Sequence, residues 1–358
     1  MDRVLNASRN SSLTNVTLES CRLTYTAMDS TSSQICVTMA YGILLLLALV
    51  GNCLIVGLYY RNPGRQLRSP IHYFISNMAV SDILIAVLVI PRRIQEAYLG
   101  WSPWLIDGIL GEILCRLVNF SDEVSMAVSI QSMVFIAFER FWSIMLPMSQ
   151  PVITAKHSPR FIAFTWIFAI SIFFRYLFTH KLVYGDKELW CKHDWQEMFG
   201  TWEELWKVDR LIFFVLFVAI PFVLLVSFYS AIIFCLYRQE KRFGHLAFQA
   251  QRTTARENKR ITVMLILVVI LFFIGWTPYY LYTFKHYFLP NTSKWSCVFL
   301  KNLTFTAIYL NYVNAGLNPL IYYTFNDTYR KGFRELVKHL CICKCIRFIR
   351  PRVQDNSD

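Results

Sequence analysis

Seven stretches of about twenty or more apolar residues, each long enough to cross a hydrocarbon layer of roughly 30 Å as a helix, constrain this chain more than anything else in it. They run Val37–Tyr60, Ile71–Ile90, Gly111–Met145, Phe161–Thr179, Leu211–Tyr237, Ile261–Phe284 and Val298–Tyr323. The apolar residues come in blocks rather than at amphipathic spacing, and 55% of the chain is hydrophobic. A water-soluble domain is not built this way. The expected fold is an all-α membrane protein, a seven-transmembrane helix bundle in one domain.

The formal net charge of +13 suggests nucleic acid until it is placed on the chain. The segments 61–70, 141–160, 238–260 and 325–358 together carry more than all of it. These segments share one side of a seven-span topology. The positive-inside rule puts them in the cytosol and the N-terminus outside the plasma membrane. The basic excess then orients the chain and faces anionic membrane lipids or partners, and no nucleic-acid partner is expected. The expected divisions are an extracellular tail at 1–36, the bundle at 37–324, an amphipathic juxtamembrane helix at 325–340 and a cytoplasmic tail at 341–358. In the juxtamembrane segment Tyr329, Phe333, Leu336, Val337 and Leu340 share one face, with Arg330, Lys331, Arg334 and Lys338 between them. No apolar leader precedes Val37, so the first span is expected to direct insertion itself.

The third stretch is the most informative. Cys115, Asp122 and Ser129 are spaced by seven, so one side of a helix carries all three, and Arg140 returns to that side five turns after Asp122. Cys115 to Arg140 spans about 37 Å. Ionisable groups at such depth cost roughly 2.5 to 3.5 kcal/mol each, which makes them functional candidates. The polar tail carries Asn-x-Ser/Thr sequons at Asn6, Asn10 and Asn15, expected to be glycosylated, and Asn291 opens another in the last outer loop. Cys21, Cys36, Cys115, Cys191 and Cys297 fall where disulfides persist. The pairing of Cys21, Cys36 and Cys297 stays open between Cys36–Cys297 and a bond to Cys21.

The order of motifs along the spans resembles the rhodopsin-like (class A) G protein-coupled receptors. Asn52, Asp82, Cys115, Glu139-Arg140-Phe141, Trp166, Pro221, Tyr229, Trp276-Thr277-Pro278 and Asn318-Pro319-Leu320-Ile321-Tyr322 stand on the first to seventh spans in the family's sequence. The match covers roughly residues 37 to 340. It implies a bundle that binds an extracellular ligand and activates a heterotrimeric G protein, with no catalytic residues and no enzyme activity.

The resemblance implies roles residue by residue. Cys115 and Cys191 match the disulfide that ties the third helix to the long outer loop. Asp82, Ser129, Asn314 and Asn318 match an allosteric sodium site; apart from this ion no cofactor is expected. Glu139-Arg140-Phe141 departs from the commoner Asp-Arg-Tyr, and Asn258 stands where a sixth-helix acid often caps the arginine, with Glu257 one step away. These departures imply a weak inactive-state latch and basal signalling, raised further by Glu139→Gln. Ile130, Pro221 and Phe272 match the packing switch below Trp276, with Pro278 as hinge and Tyr229 and Tyr322 on the inner side. Gly275, in place of a frequent cysteine, reads as neutral. Cys341, Cys343 and Cys345 follow the juxtamembrane helix and are expected to be palmitoylated. The tail has one hydroxyl residue, Ser357, so arrestin recruitment is expected to be weak or to use Thr253 and Thr254.

For the ligand, Asp122 and Tyr312 stand where amine receptors hold an ammonium group, and some peptide receptors use the same acid. The same cavity is expected to include Glu123, Met126, Arg92, Arg93, Glu96, Phe213, Phe217, Trp276, Tyr279 and Tyr280. Phe213, Phe214 and Phe217 stand on the fifth helix where catechol and indole receptors offer hydroxyls. The loop Tyr184–Arg210 is acidic and rich in tryptophan. Together these favour a cationic neuropeptide over a biogenic amine. A cation transporter or channel is the rival of a different class, but no inverted repeat is visible.

Overall fold

The structure, a computed structural model, describes residues 30–61, 67, 69–99, 103–185, 188–193, 203–243, 249–288 and 297–335. Seven long helices dominate it. They are α1 (Thr31–Arg61), α2 (Pro70–Leu99), α3 (Gly108–Met145), α4 (Ser158–Thr179), α5 (Glu203–Phe214 continued through Val215–Ala219 and Ile220–Phe243), α6 (Gln249–Phe288) and α7 (Cys297–Phe325). Among the described residues, six of these, α1 to α6, are long and apolar enough to cross a membrane; α7 is a 29-residue helix with Pro319 inside it. Residues 327–335 are also helical. Leu336, Val337 and Leu340, which complete the expected amphipathic face, lie outside the described residues.

The helices run past the apolar blocks at several ends. α5 begins at Glu203, eight residues before its block, and α6 begins at Gln249. Apolarity locates the part of a helix that meets lipid, but hydrogen bonding continues into water where side chains cap or pair. α2 and α5 each widen into a π-helical turn, at Ile85–Val89 and Val215–Ala219. Pro91 and Pro221 stand two residues after the last residue of these turns. A proline offers no N–H to the preceding turn and its ring crowds the carbonyl there, and a wider turn accommodates both defects.

The core lies along α2 and α3, the two most enclosed of the six spans. Asn77 of α2 donates to Ser132 Oγ of α3 at 2.9 Å and accepts from Trp166 Nε1 of α4 at 2.8 Å. Asn52 donates to Ala315 O at 2.9 Å, joining α1 to α7. These are buried polar groups bonded across helices, as an apolar surrounding favours, although Asn52 Oδ1 has no partner among the described residues.

Gly275 is not a neutral position. A Cβ there would lie 2.7 Å from the Leu310 carbonyl oxygen, a backbone atom that cannot turn aside. With its amide oriented as the neighbouring carbonyls require, Asn311 donates to Gly275 O at 2.6 Å across the same gap. The absent side chain lets α6 and α7 touch by backbone. Gly275→Cys is expected to cost about 1–3 kcal/mol through overpacking, read as a lowered unfolding midpoint of the purified protein. An unchanged midpoint would show that the two helices part freely.

One end of the bundle is covered by a three-stranded antiparallel sheet, β1 (Pro103–Trp104), β3 (Leu189–His193) and β2 (His180–Tyr184), in that spatial order. The register pairs Leu182 with Cys191 and His180 with His193. Cys191 is bonded to Cys115 near the start of α3, with Cα atoms 5.7 Å apart. Glu112 of α3 accepts from Leu182 N at 2.9 Å, and Asp107 accepts from Tyr184 Oη at 2.6 Å. The sheet is therefore pinned to α3 by a covalent bond and two hydrogen bonds.

Candidate functional site

Beneath the sheet two ion networks sit side by side. The first starts on α2, where the widened turn adds a residue and so rotates the rest of the helix by about 100°. Arg93 donates from Nη2 to Asp122 Oδ2 of α3 at 3.0 Å and from Nε to Tyr312 Oη of α7 at 2.9 Å. Tyr312 donates to the same Asp122 oxygen at 2.8 Å. Arg93 also holds Glu96 at 2.8 and 3.1 Å. Arg92 reaches Glu96 at 3.2 Å, donates to Pro103 O at 2.7 Å and lies 4.9 Å from the Trp104 ring centre, so it also anchors the sheet.

The second network joins α3, α4 and α5. Tyr176 donates to Glu123 Oε1 at 3.0 Å, and Arg210 approaches the same oxygen at 3.4 Å. Arg210 also donates to Tyr176 Oη and to Asp209, the latter at 3.1 Å, and Asp209 pairs with Arg175. Asp209 is thus a partner between helices, not one of the acids of an exposed loop. Among the described residues, four guanidinium groups stand against four carboxylates in the two networks.

Aromatic rings floor this region. Tyr280 lies 5.7 Å from Phe213, 5.9 Å from Trp276 and 5.7 Å from Tyr279, centre to centre. Its hydroxyl is buried and has no hydrogen-bond partner among the described residues. Phe217 is packed against Phe168, Phe173 and Phe213 and is 1% exposed, so it supports the wall rather than facing inward. Met126 is buried likewise, whereas Phe214 is exposed, with its ring 5.7 Å from that of Tyr280.

Deeper, Asp82 is 3% exposed and accepts from Asn318 Nδ2 at 3.2 Å. Ser129 pairs with Ser81 at 2.8 Å. The Oδ1 atoms of Asn314 and Asn318, one turn apart on α7, are buried without a hydrogen-bond partner among the described residues. A lone carboxylate with unsatisfied neutral oxygens suits a hard monovalent cation better than a softer metal. Below Trp276 the ring of Phe272 follows at 6.0 Å, and Ile130 is fully buried.

At the opposite end, Glu139 holds Arg140 through two bonds of 2.5 and 2.6 Å within α3. Phe141 packs on Phe228 of α5 at 5.3 Å. Tyr229 and Tyr322 are buried, and the Tyr322 hydroxyl lies 3.9 Å from Met78 Sδ. Glu257 of α6 is exposed. Arg260 of α6 instead donates to both oxygens of Asp327 at 2.8 Å. Sequence reasoning missed that contact, as it missed Arg175, Tyr176 and Arg210. Arg175 carried a signal: it is the one charged residue inside the fourth apolar block.

Cys36 is an exposed free thiol. Asn6, Asn10, Asn15, Cys21, Asn291, Cys341, Cys343, Cys345 and Ser357 lie outside the described residues, as do the side chains of Cys297, Thr253 and Thr254.

His180 and His193 face each other across the sheet with ring centres 4.4 Å apart. Burial pushes His180 down to about 4, against a hydrogen bond to Tyr176 O that raises it. Burial, then His180 and the nearby arginines, push His193 down to about 2. Both are neutral when folded, whereas the unfolded chain takes up protons near pH 6.5. The unfolded state therefore binds more protons as pH falls from 6.5 towards 4, and stability is lost over that window. About 3–4 kcal/mol should vanish between pH 7 and pH 5, roughly half from each ring, read by thermal unfolding. His193→Gln should remove about half of that loss; a flat wild-type profile would refute the assignment.

A family model described as the 7 transmembrane receptor (rhodopsin family) matches residues 51–322. A QRFP-like peptide receptor of Branchiostoma floridae is 26% identical over 88% of this chain and 80% of its own length. The substance-K receptor of Bos taurus is 26% identical over 90% of this chain and 78% of its own. The histamine H2 receptor of Homo sapiens is 28% identical over 86% and 81%. These similar proteins are receptors, not enzymes.

Proposed function

Because this chain belongs to the rhodopsin family of seven-transmembrane receptors, a multi-pass membrane protein and G protein-coupled receptor, we propose that it stands in the plasma membrane with its sheet-covered end outside and answers an extracellular peptide. The observation that carries the peptide reading is the breadth of the polar surface under the sheet. Side chains of α2, α3, α4, α5 and α7 build it, from Arg93 to Arg210. A small amine touches few such groups; a peptide touches many and is held by the few best buried. One of the three relatives named above is a peptide receptor by name.

The mechanism follows from the stacked parts. A peptide entering beside the sheet rearranges Tyr280 and Trp276, and Phe272 and Ile130 repack beneath them. Pro278 lets α6 bend. Asp82, Ser129, Asn314 and Asn318 would hold a sodium ion, which would supply the buried carboxylate with a counter-charge. At the inner end Glu139 releases Arg140 to the heterotrimeric G protein, and Tyr229 and Tyr322 close behind it. The basic inner face and the helix around 325–340 rest on anionic lipid, and arrestin engagement is weak. Occupants of other classes leave traces that the test separates.

The test is a G protein-activation screen of membranes carrying the receptor against peptide and amine collections. A peptide response lost in Asp122→Asn is expected, and sodium is expected to weaken that peptide's binding unless Asp82 is replaced by asparagine. A receptor answering only small amines would overturn the peptide reading, and sodium-independent affinity would remove the ion.

A further inference from the structure

Asp122 already has a cation. The Arg93 guanidinium lies 3.0 Å from its Oδ2, and the Tyr312 hydroxyl, the other group that would meet an ammonium ion, both donates to Asp122 at 2.8 Å and accepts from Arg93 at 2.9 Å. The Arg93 carbon Cζ lies 5.5 Å from the centre of the Tyr312 ring. Arg93 is 11% exposed and Asp122 20%, so the pair sits largely out of water. Glu96 holds Arg93 from its other side through two bonds. The position is no accident of a long side chain, because the π-helical turn at Ile85–Val89 turns this face of α2 inward.

We propose that Arg93 determines specificity as a tethered cation that fills the ammonium position of this site and so bars small monoamines from Asp122. The inference rests on the receptor reading above and deepens it. A free amine must displace a group attached to the same molecule, which competes at an effective concentration of about millimolar or higher. Displacement also adds a positive charge to a network in which, among the described residues, two arginines already stand against Glu96 and Asp122. Burying an uncompensated charge is costly. A peptide escapes this exclusion because groups far from Asp122 supply enough further affinity to offset the displacement of Arg93. The histamine H2 receptor among the relatives is named for an amine, so overall similarity does not separate the two ligand classes. The side chain at 93 does.

The test uses purified full-length receptor in detergent, with phenethylamine as probe and uncharged 2-phenylethanol as control. Thermal unfolding is followed against probe concentration for wild type, Arg93→Ala, Arg93→Lys and Arg93→Ala/Asp122→Asn. Phenethylamine is expected to stabilise Arg93→Ala at concentrations at least about tenfold below any effect on wild type. Arg93→Lys, which keeps a tethered cation, should stay refractory, and the double variant should lose the response. Phenylethanol should stabilise none. If Arg93→Ala does not yield folded protein, Arg93→Gln replaces it, keeping length and hydrogen bonding while removing the charge. Equal responses of wild type and Arg93→Ala, or no response in either, overturn the proposal while leaving the peptide screen to judge the receptor reading. Tight, Asp122-dependent binding of phenethylamine to wild type overturns both.

Discussion

Replacing Arg210 with alanine is expected to destabilise the receptor by about 3–5 kcal/mol, the usual consequence of removing one partner from a buried ion pair. Arg210 is 10% exposed and joins Glu123, Asp209 and Tyr176 across α3, α4 and α5. Its loss leaves Glu123, 18% exposed, leaning on the Tyr176 hydroxyl. A carboxylate so placed lacks a counter-charge, and water reaches it poorly. The pair itself adds little net stability over apolar residues of equal size, because two desolvated charges offset most of their attraction. The double variant Arg210→Met/Glu123→Met should therefore recover most of what Arg210→Ala loses. Thermal unfolding of the three purified proteins decides this. If the double variant is as unstable as the single one, the cost lies in packing around Phe213, whose ring centre is 5.5 Å from the Arg210 Cζ, and not in charge.

Cys115→Ser should have the second large effect. The bond to Cys191 closes a loop across 76 positions of sequence. Constraint of the unfolded chain by such a loop is worth about 2–5 kcal/mol. Local structure is lost too. Cys115 is fully buried with Trp104 and Val118, and β3 carries both β1 and β2 as neighbours. Releasing Cys191 frees the central strand, and with it the cover over Asp122 and Glu123. The measurements are the unfolding midpoint and the protease sensitivity of the segment 180–193. A midpoint equal to wild type would mean that Glu112 and Asp107, through Leu182 N and Tyr184, hold the sheet unaided.

The two effects share a cause that separates the networks from the latch at the other end. Arg260–Asp327 has side chains 38% and 52% exposed, where screening by water leaves a pair worth roughly 0–1 kcal/mol. Glu139–Arg140 lies between these cases, buried but paired along one helix. Such a pair can be broken without unfolding anything, which suits an end of the bundle that must rearrange. The enclosed networks under the sheet suit a rigid site, and the looser inner contacts suit motion.

Much of this was legible in the chain. Apolar block length alone determined that helices cross a membrane, since a hydrocarbon layer tolerates no unpaired backbone. The spacing of Cys115, Asp122, Ser129 and Arg140 determined that one helix carries a thiol, an acid and a switch on one side, because helical periodicity is a local property. The order of motifs determined the family. Partnership was another matter. That Arg93 answers Asp122, that Arg210 answers Glu123 and that Gly275 admits a carbonyl depends on which faces of separate helices meet. Widened turns before Pro91 and Pro221 reset those faces by a residue. A charge along the chain shows only that it must be compensated. Its partner is set by distances of a few ångströms between separate helices, which local sequence does not encode, and only the packed bundle chose it.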